Sequence, residues 1–211
     1  MAASLYIVDY GSDDLRAVKE AFAHVGAASE IGSEPHRLRS AAGLVLAGEG
    51  VFGPAMGELE RRGLAEAIQD RVQQGVPLLG VGLGLQLLFE GSEESPDAAG
   101  LGLLRGDVRF LPPVVEAPHV GWGRIEIAKY SDLLQDVPSG SAFYFVHSCV
   151  GMPRQPQDVL TFTEYGVGFV SGVERDNVAA FQFHPERSGT LGLKIYRNFA
   201  RCVGLEGERG S

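Results

Sequence analysis

Cysteine is scarce in this chain: Cys149 and Cys202 are the only two in 211 residues. Two thiols build neither a disulfide framework nor a four-ligand zinc site, so a reduced, cytoplasmic protein without a metal is expected. No apolar run approaches the roughly 20 residues of a membrane span, which argues against a membrane protein. Basic residues are also few. Lysine plus arginine number 18 against 27 acids, a net charge of −9. Nucleic-acid binding needs a basic footprint, so no nucleic-acid partner is expected. The opening Met1-Ala2-Ala3-Ser4 leads straight into a strand-like run, without the charged and apolar regions of a signal peptide. What remains is an ordinary globular composition, 45% hydrophobic. The length suits one domain spanning residues 1–211 with a substantial core.

The hydrophobic pattern alternates strand and helix in the first half. Leu5 to Asp9 reads as a buried strand, and Leu15, Val18, Phe22 and Val25 follow at helical spacing up to Gly26. Gly43 to Ala47 is a second strand. Met56, Leu59, Leu64, Ile68 and Val72 mark one helix, or two broken near Gly63, and Pro77 to Val81 is a third strand. Continuous apolar strands separated by helices predict a mostly parallel sheet covered on both faces. The second half adds strand-like runs at Val108–Leu111, Gly123–Ile127, Ala142–His147, Val159–Glu164, Gly168–Val173 and Val178–His184. A last helix carries Leu191, Ile195, Phe199 and Val203, with Cys202 expected in the core. The expected fold class is α/β: an open, mostly parallel sheet flanked by helices, with extra antiparallel strands later in the chain.

The run from Leu78 to Gln86, LLGVGLGLQ, has the form of a nucleophile elbow. In such turns a strand meets a helix at Gly-x-Nuc-x-Gly, and the central side chain is thrust out over the sheet. Here the central residue is Gly82, which has no side chain. About a hundred residues later, Phe181-Gln182-Phe183-His184-Pro185-Glu186 places a His and a Glu two apart. A base and the acid that orients it are needed beside such a nucleophile. The frame of a covalent hydrolase is present without its reacting atom. The segment Gly48-Glu49-Gly50-Val51-Phe52-Gly53 also satisfies G-x-G-x-x-G. It lacks the acid at the end of the next strand that would hold a ribose.

These blocks resemble the class I, triad-type glutamine amidotransferases, and most of all the glutaminase subunits of imidazole glycerol phosphate synthases. The resemblance covers nearly the whole chain. It includes Tyr6 to Leu15, Leu44 to Gly53, Gln86 to Glu94, Pro118-His119-Val120-Gly121-Trp122, Tyr144-Phe145-Val146-His147-Ser148 and His184 to Ser188. It implies an ancestor that released ammonia from glutamine and passed it to a (β/α)8-barrel cyclase subunit in histidine biosynthesis, as a heterodimer and without a cofactor. It further implies that Gly82 stands at the position of the cysteine nucleophile, with His184 as base and Glu186 as its orienting acid. Amides around Gly48, Glu49, Gly50 and Leu83 would hold the oxyanion. Gln86, Glu94, Ser148 and Cys149 would line the glutamine site, and Asp14, Trp122, Tyr144 and Arg187 would face the partner.

Three departures from the family pattern bear on activity. Gly82 removes the nucleophile and relaxes the turn. Glu49 puts a carboxylate in the turn that should stabilise an oxyanion, and Ala47 replaces a proline before it. Asp13-Asp14 replaces a Gly-Asn pair on the partner side. The expectation is a glutaminase-inactive subunit that steadies or regulates a cyclase. The alternative is a repurposed paralogue with other chemistry or ligand binding in the old pocket. Cys149 is expected to be a small pocket-wall residue, and a displaced nucleophile is its rival reading.

Overall fold

A computed structural model describes residues 4–13 and 15–205. Strands β1 (Leu5–Val8), β3 (Gly43–Gly48), β4 (Leu78–Gly82) and β12 (Val178–Phe181) form the centre of a sheet, with β2 (Ser29–Gly32) outside β1. The pairs β1/β2, β1/β3, β3/β4 and β4/β12 are parallel. Beyond β12 the sheet continues antiparallel through β11 (Gly168–Arg175), β10 (Val159–Glu164), β7 (His119–Ile127) and β8 (Ala142–His147). The nine-stranded order is β2-β1-β3-β4-β12-β11-β10-β7-β8. A smaller three-stranded sheet pairs β5 (Gly91–Ser92), β6 (Gly106–Phe110) and β9 (Cys149–Pro153).

Side chains alternate across a strand, so each central strand feeds two cores. Leu5, Ile7, Val45, Ala47, Leu79 and Val81 pack with helices α1 (Leu15–His24) and α5 (Gly189–Cys202). Tyr6, Val8, Leu44, Leu46 and Leu78 pack with α2 (Phe52–Arg61), α3 (Leu64–Gln73) and α4 (Leu83–Leu87). The expected α/β class with helices on both faces is therefore observed.

The segment with Met56 to Val72 is two helices, the second of the two arrangements its pattern allowed, because Gly63 adopts φ 68 between them. Three readings of the pattern are corrected. Strand β12 stops at Phe181 rather than running to His184. Its neighbour β4 turns into α4 just past Val81, the partner of Phe181, so no ladder continues there. Strand β7 starts at His119, ahead of Gly123, because β8 pairs with it as far as His147. Cys202 is exposed, since it lies in the final turn of α5, off the stripe that buries Ile195 and Phe199. Strands β2 and β9 carried no legible signal: one is a half-buried edge, and the other contains Gly151 and Pro153.

Helix α4 sits directly on β3, which tests the packing. A Cβ on Gly84 would lie 1.7 Å from the Leu46 carbonyl oxygen, a backbone atom that cannot step aside. Gly84→Ala is expected to cost about 3 kcal/mol or more. Gly57, exposed in α2 with nothing within 4 Å of its would-be Cβ, should gain about 0.5–1 kcal/mol on Gly57→Ala. Urea denaturation of the two variants checks both signs.

Candidate functional site

Parallel strands deliver their carboxyl ends to one edge of the sheet, where ligand sites of open α/β folds form. Gly48 at the end of β3 is in register with Gly82 at the end of β4, and Val81 pairs with Phe181 of β12. Gly82 precedes α4 with φ 60 and ψ −117. A residue with a Cβ is strained in that region, whereas glycine is not. A Cβ built on Gly82 would lie 2.7 Å from the Gly48 oxygen, 2.9 Å from His184 Cε1 and 3.2 Å from His184 Nε2. The turn thus aims its α-carbon at the imidazole from closer than a methyl group tolerates.

His184 reaches this position because the chain leaves β12 and bridges to β8. Its backbone N–H donates to the Tyr144 carbonyl at 2.8 Å. Ser188 closes the same corner: its hydroxyl donates to the His184 carbonyl at 2.6 Å and accepts from the Tyr144 N–H at 3.0 Å. Nδ1 of His184 donates to Glu186 Oε1 at 2.8 Å, and the Tyr196 hydroxyl donates to Glu186 Oε2 at 2.7 Å. Both carboxylate oxygens are therefore engaged, and the ring's orientation and tautomer are fixed. His184 Nε2 is buried, with no hydrogen-bond partner among the described residues.

Glu49 faces that nitrogen. Its Oε1 lies 3.9 Å from His184 Nε2 and 2.7 Å from a guanidinium nitrogen of Arg187. The ion pair ties Arg187, which remains about one-third exposed, to this edge of the site. A carboxylate here opposes any oxyanion forming over the Gly48–Gly50 turn.

Glu49, Gly50, Leu83, Gln86, Glu94, Ser148 and Cys149 all line one cavity of about 180 Å³, so the structure brings together most of the residues expected to hold a substrate. Gln86 is tied down by its amide, which donates to the Cys149 carbonyl and to Gln182 Oε1, each at 3.1 Å. Glu94 accepts the Phe52 N–H at 2.9 Å, which anchors α2. Burial pushes the Cys149 thiol up to about 12, with Glu94 and Glu93 adding to the shift. It is a neutral wall residue and not an activated nucleophile. Gln182, Tyr196 and the Arg187–Glu49 pair escaped the sequence reading. The available signals were weak: a glutamine beside His184, and a tyrosine on the buried face of the last helix.

On the outer strands, Trp122 and Tyr144 are register partners with ring centroids 6.0 Å apart in an edge-on arrangement. Trp122 is 60% exposed. Asp14 lies outside the described residues.

In the cavity wall, His147 forms a buried pair with His119. His147 Nδ1 donates to the Cys149 carbonyl at 3.0 Å, so its Nε2 accepts from His119 Nδ1 at 3.1 Å. Burial pushes His147 down to about 3, with His119 and His184 contributing, and burial also lowers His119. Below the unfolded value of about 6.5, the unfolded chain then binds more protons than the folded one. The stability due to a neutral His147 is complete above that value and is lost as pH falls toward 3. The slope is at most about 1.4 kcal/mol per pH unit for this one proton. Urea melts between pH 7 and 4 should show a shallower loss for His147→Phe than for the parent chain.

Comparison with known proteins bears on the fold and the family. Residues 6–202 match the model of the class-I glutamine amidotransferase family. An imidazole glycerol phosphate synthase subunit HisH from Moorella thermoacetica is 41% identical over 204 residues, covering 97% of each chain. The HisH subunit from Aquifex aeolicus is 46% identical, covering 92% of this chain and 95% of the relative. Among solved structures, a glutamine amidotransferase superposes with a TM-score of 0.77 at 20% identity, covering 96% of this chain and all of the other. PurLQS from Thermotoga maritima gives 0.72 at 17% identity, covering 96% of this chain and 100% of that one, and both share the fold. The chain belongs to the class-I glutamine amidotransferase family, alongside the HisH subunits of imidazole glycerol phosphate synthase.

Proposed function

We propose that this chain is a single-domain HisH-type subunit that pairs with a (β/α)8-barrel cyclase and no longer hydrolyses glutamine. The observation that carries the reading is the Gly82–His184 pair. The turn has the backbone of a nucleophile elbow, its would-be Cβ lies 3.2 Å from Nε2 of an imidazole held by an acid, and the residue there has no side chain. A general base with no hydroxyl or thiol to deprotonate performs no acyl transfer. Glu49 works against the same reaction through its charge. In this reading the chain steadies or regulates a cyclase that draws on free ammonia, and the Trp122–Tyr144 face carries the contact. Exposed aromatics of this kind anchor interfaces. The retained 180 Å³ cavity supports a second reading, in which the old pocket binds a ligand for another purpose.

Loss of a nucleophile costs about 10⁶-fold in turnover. Glutamate release by the chain mixed with its cyclase should therefore stay at that residual level, while ammonium salts sustain the cyclase. Release at the rate of an intact amidotransferase would overturn the reading. Co-purification with the cyclase tests the pairing, and Trp122→Ala should weaken it by at least tenfold.

A double-mutant cycle tests the site itself. Gly82→Cys alone is expected to recover little glutaminase, and Gly82→Cys with Glu49→Val more than the two single effects combined, because both residues act on one transition state. The Cys variant should also lose about 1–3 kcal/mol, since its Cβ must displace the Gly48 carbonyl and the His184 ring. Full activity from Gly82→Cys alone would show Glu49 to be incidental.

A further inference from the structure

Beside the 180 Å³ cavity is a smaller one of about 10 Å³, the size of one water molecule. Its polar wall is formed by Asp13, Gly48, Glu49, His184 and Glu186, and its apolar wall includes Leu15 and Val18 from α1. Three of the polar groups are carboxylates. Arg187 contacts Glu49 Oε1 at 2.7 Å, and this buried oxygen receives no hydrogen bond among the described residues.

His184 supplies the independent observation. Its side chain is 3% exposed, and Nε2 has no partner among the described residues. With Nδ1 donating to Glu186, the neutral tautomer of the ring presents a lone pair at Nε2. Nε2 and Glu49 Oε1 are 3.9 Å apart, so a particle about 3 Å from each bridges them. Two acceptors in a site of net negative charge call for a cation that is also a hydrogen-bond donor. Sodium and potassium donate nothing and favour oxygen ligands over an imidazole nitrogen. Among the described residues, no group of three or more His, Cys, Asp or Glu side chains could hold a metal ion.

We propose that this cavity is an ammonium site, in which NH4⁺ donates to His184 Nε2 and Glu49 Oε1. The proposal deepens the preceding reading and rests on it. A subunit that releases no ammonia would instead hold ammonium at the sheet edge, between the pocket and α1. In this chain Glu49, unfavourable to an oxyanion, favours a cation at the same place.

The test uses the isolated full chain with ¹⁵N-labelled histidine. The His184 Nε2 signal should shift saturably with NH4Cl and not with KCl at equal ionic strength. NH4Cl should also raise the melting temperature above that in KCl. Glu49→Gln keeps the shape and removes the charge, and should weaken ammonium binding about tenfold. Asp13→Asn, farther from Nε2, should weaken it less. An equal response to potassium, or unchanged affinity in Glu49→Gln, would overturn the site. Glutamate release and cyclase pairing are separate readouts. A chain that binds no ammonium but still pairs without releasing glutamate loses this site alone, whereas glutamate release defeats the underlying reading.

Discussion

The parallel ladder of β3, β4 and β12 is the constraint on which the rest depends. Its register sets Gly48 against Gly82 and Val81 against Phe181, so two glycine turns and the strand leading to His184 reach the same edge. A slip of one residue would turn each strand's buried set to the other face, and both cores would be lost with the site. Small residues make the close approach possible. A Cβ on Gly80 would lie 2.7 Å from the Ala180 Cβ, and Gly84 lets α4 rest on the β3 backbone. The glycines that shape the elbow are therefore packing residues first.

Around His184 the charges form two pairs of different character. Glu186 is buried, takes hydrogen bonds on both oxygens and fixes the ring. Glu49 is half-exposed and is restrained mainly by Arg187. An enzyme built to stabilise an oxyanion sets donors where negative charge develops, whereas this edge carries a carboxylate. The buried groups nearby are kept neutral: the Cys149 thiol is pushed up to about 12 and His147 down to about 3, in both cases chiefly by burial. Beside the cavity, position 82 carries no side chain and the Cys149 thiol is buried.

The antiparallel half of the sheet links this edge to the outer surface. Tyr144 shares backbone hydrogen bonds with His184 and Ser188, while its ring packs on Trp122. The exposed aromatic face and the imidazole thus rest on one corner of β8. Trp122 is linked to His184 through its cross-strand partner Tyr144, whose carbonyl accepts the His184 N–H.

Much of this was legible in the sequence because it is local. Apolar runs at periods of two and 3.6 gave the central strands and helices, the glycine spacing gave the elbow, and the order of blocks gave the family. Strands β2 and β9 were not legible, since one lacks an apolar run and the other is broken by Gly151 and Pro153. Nor was the end of β12, which is set by where β4 turns away. The chain by itself determined that position 82 has no side chain and that a His-Pro-Glu follows a buried run. Only the tertiary structure decided that Arg187 pairs with Glu49, that Tyr196 secures Glu186, and that His184 Nε2 has no hydrogen-bond partner among the described residues. Those contacts join residues 10 to 138 positions apart, and no periodicity along the chain encodes which charged ends meet once two strands and a helix converge.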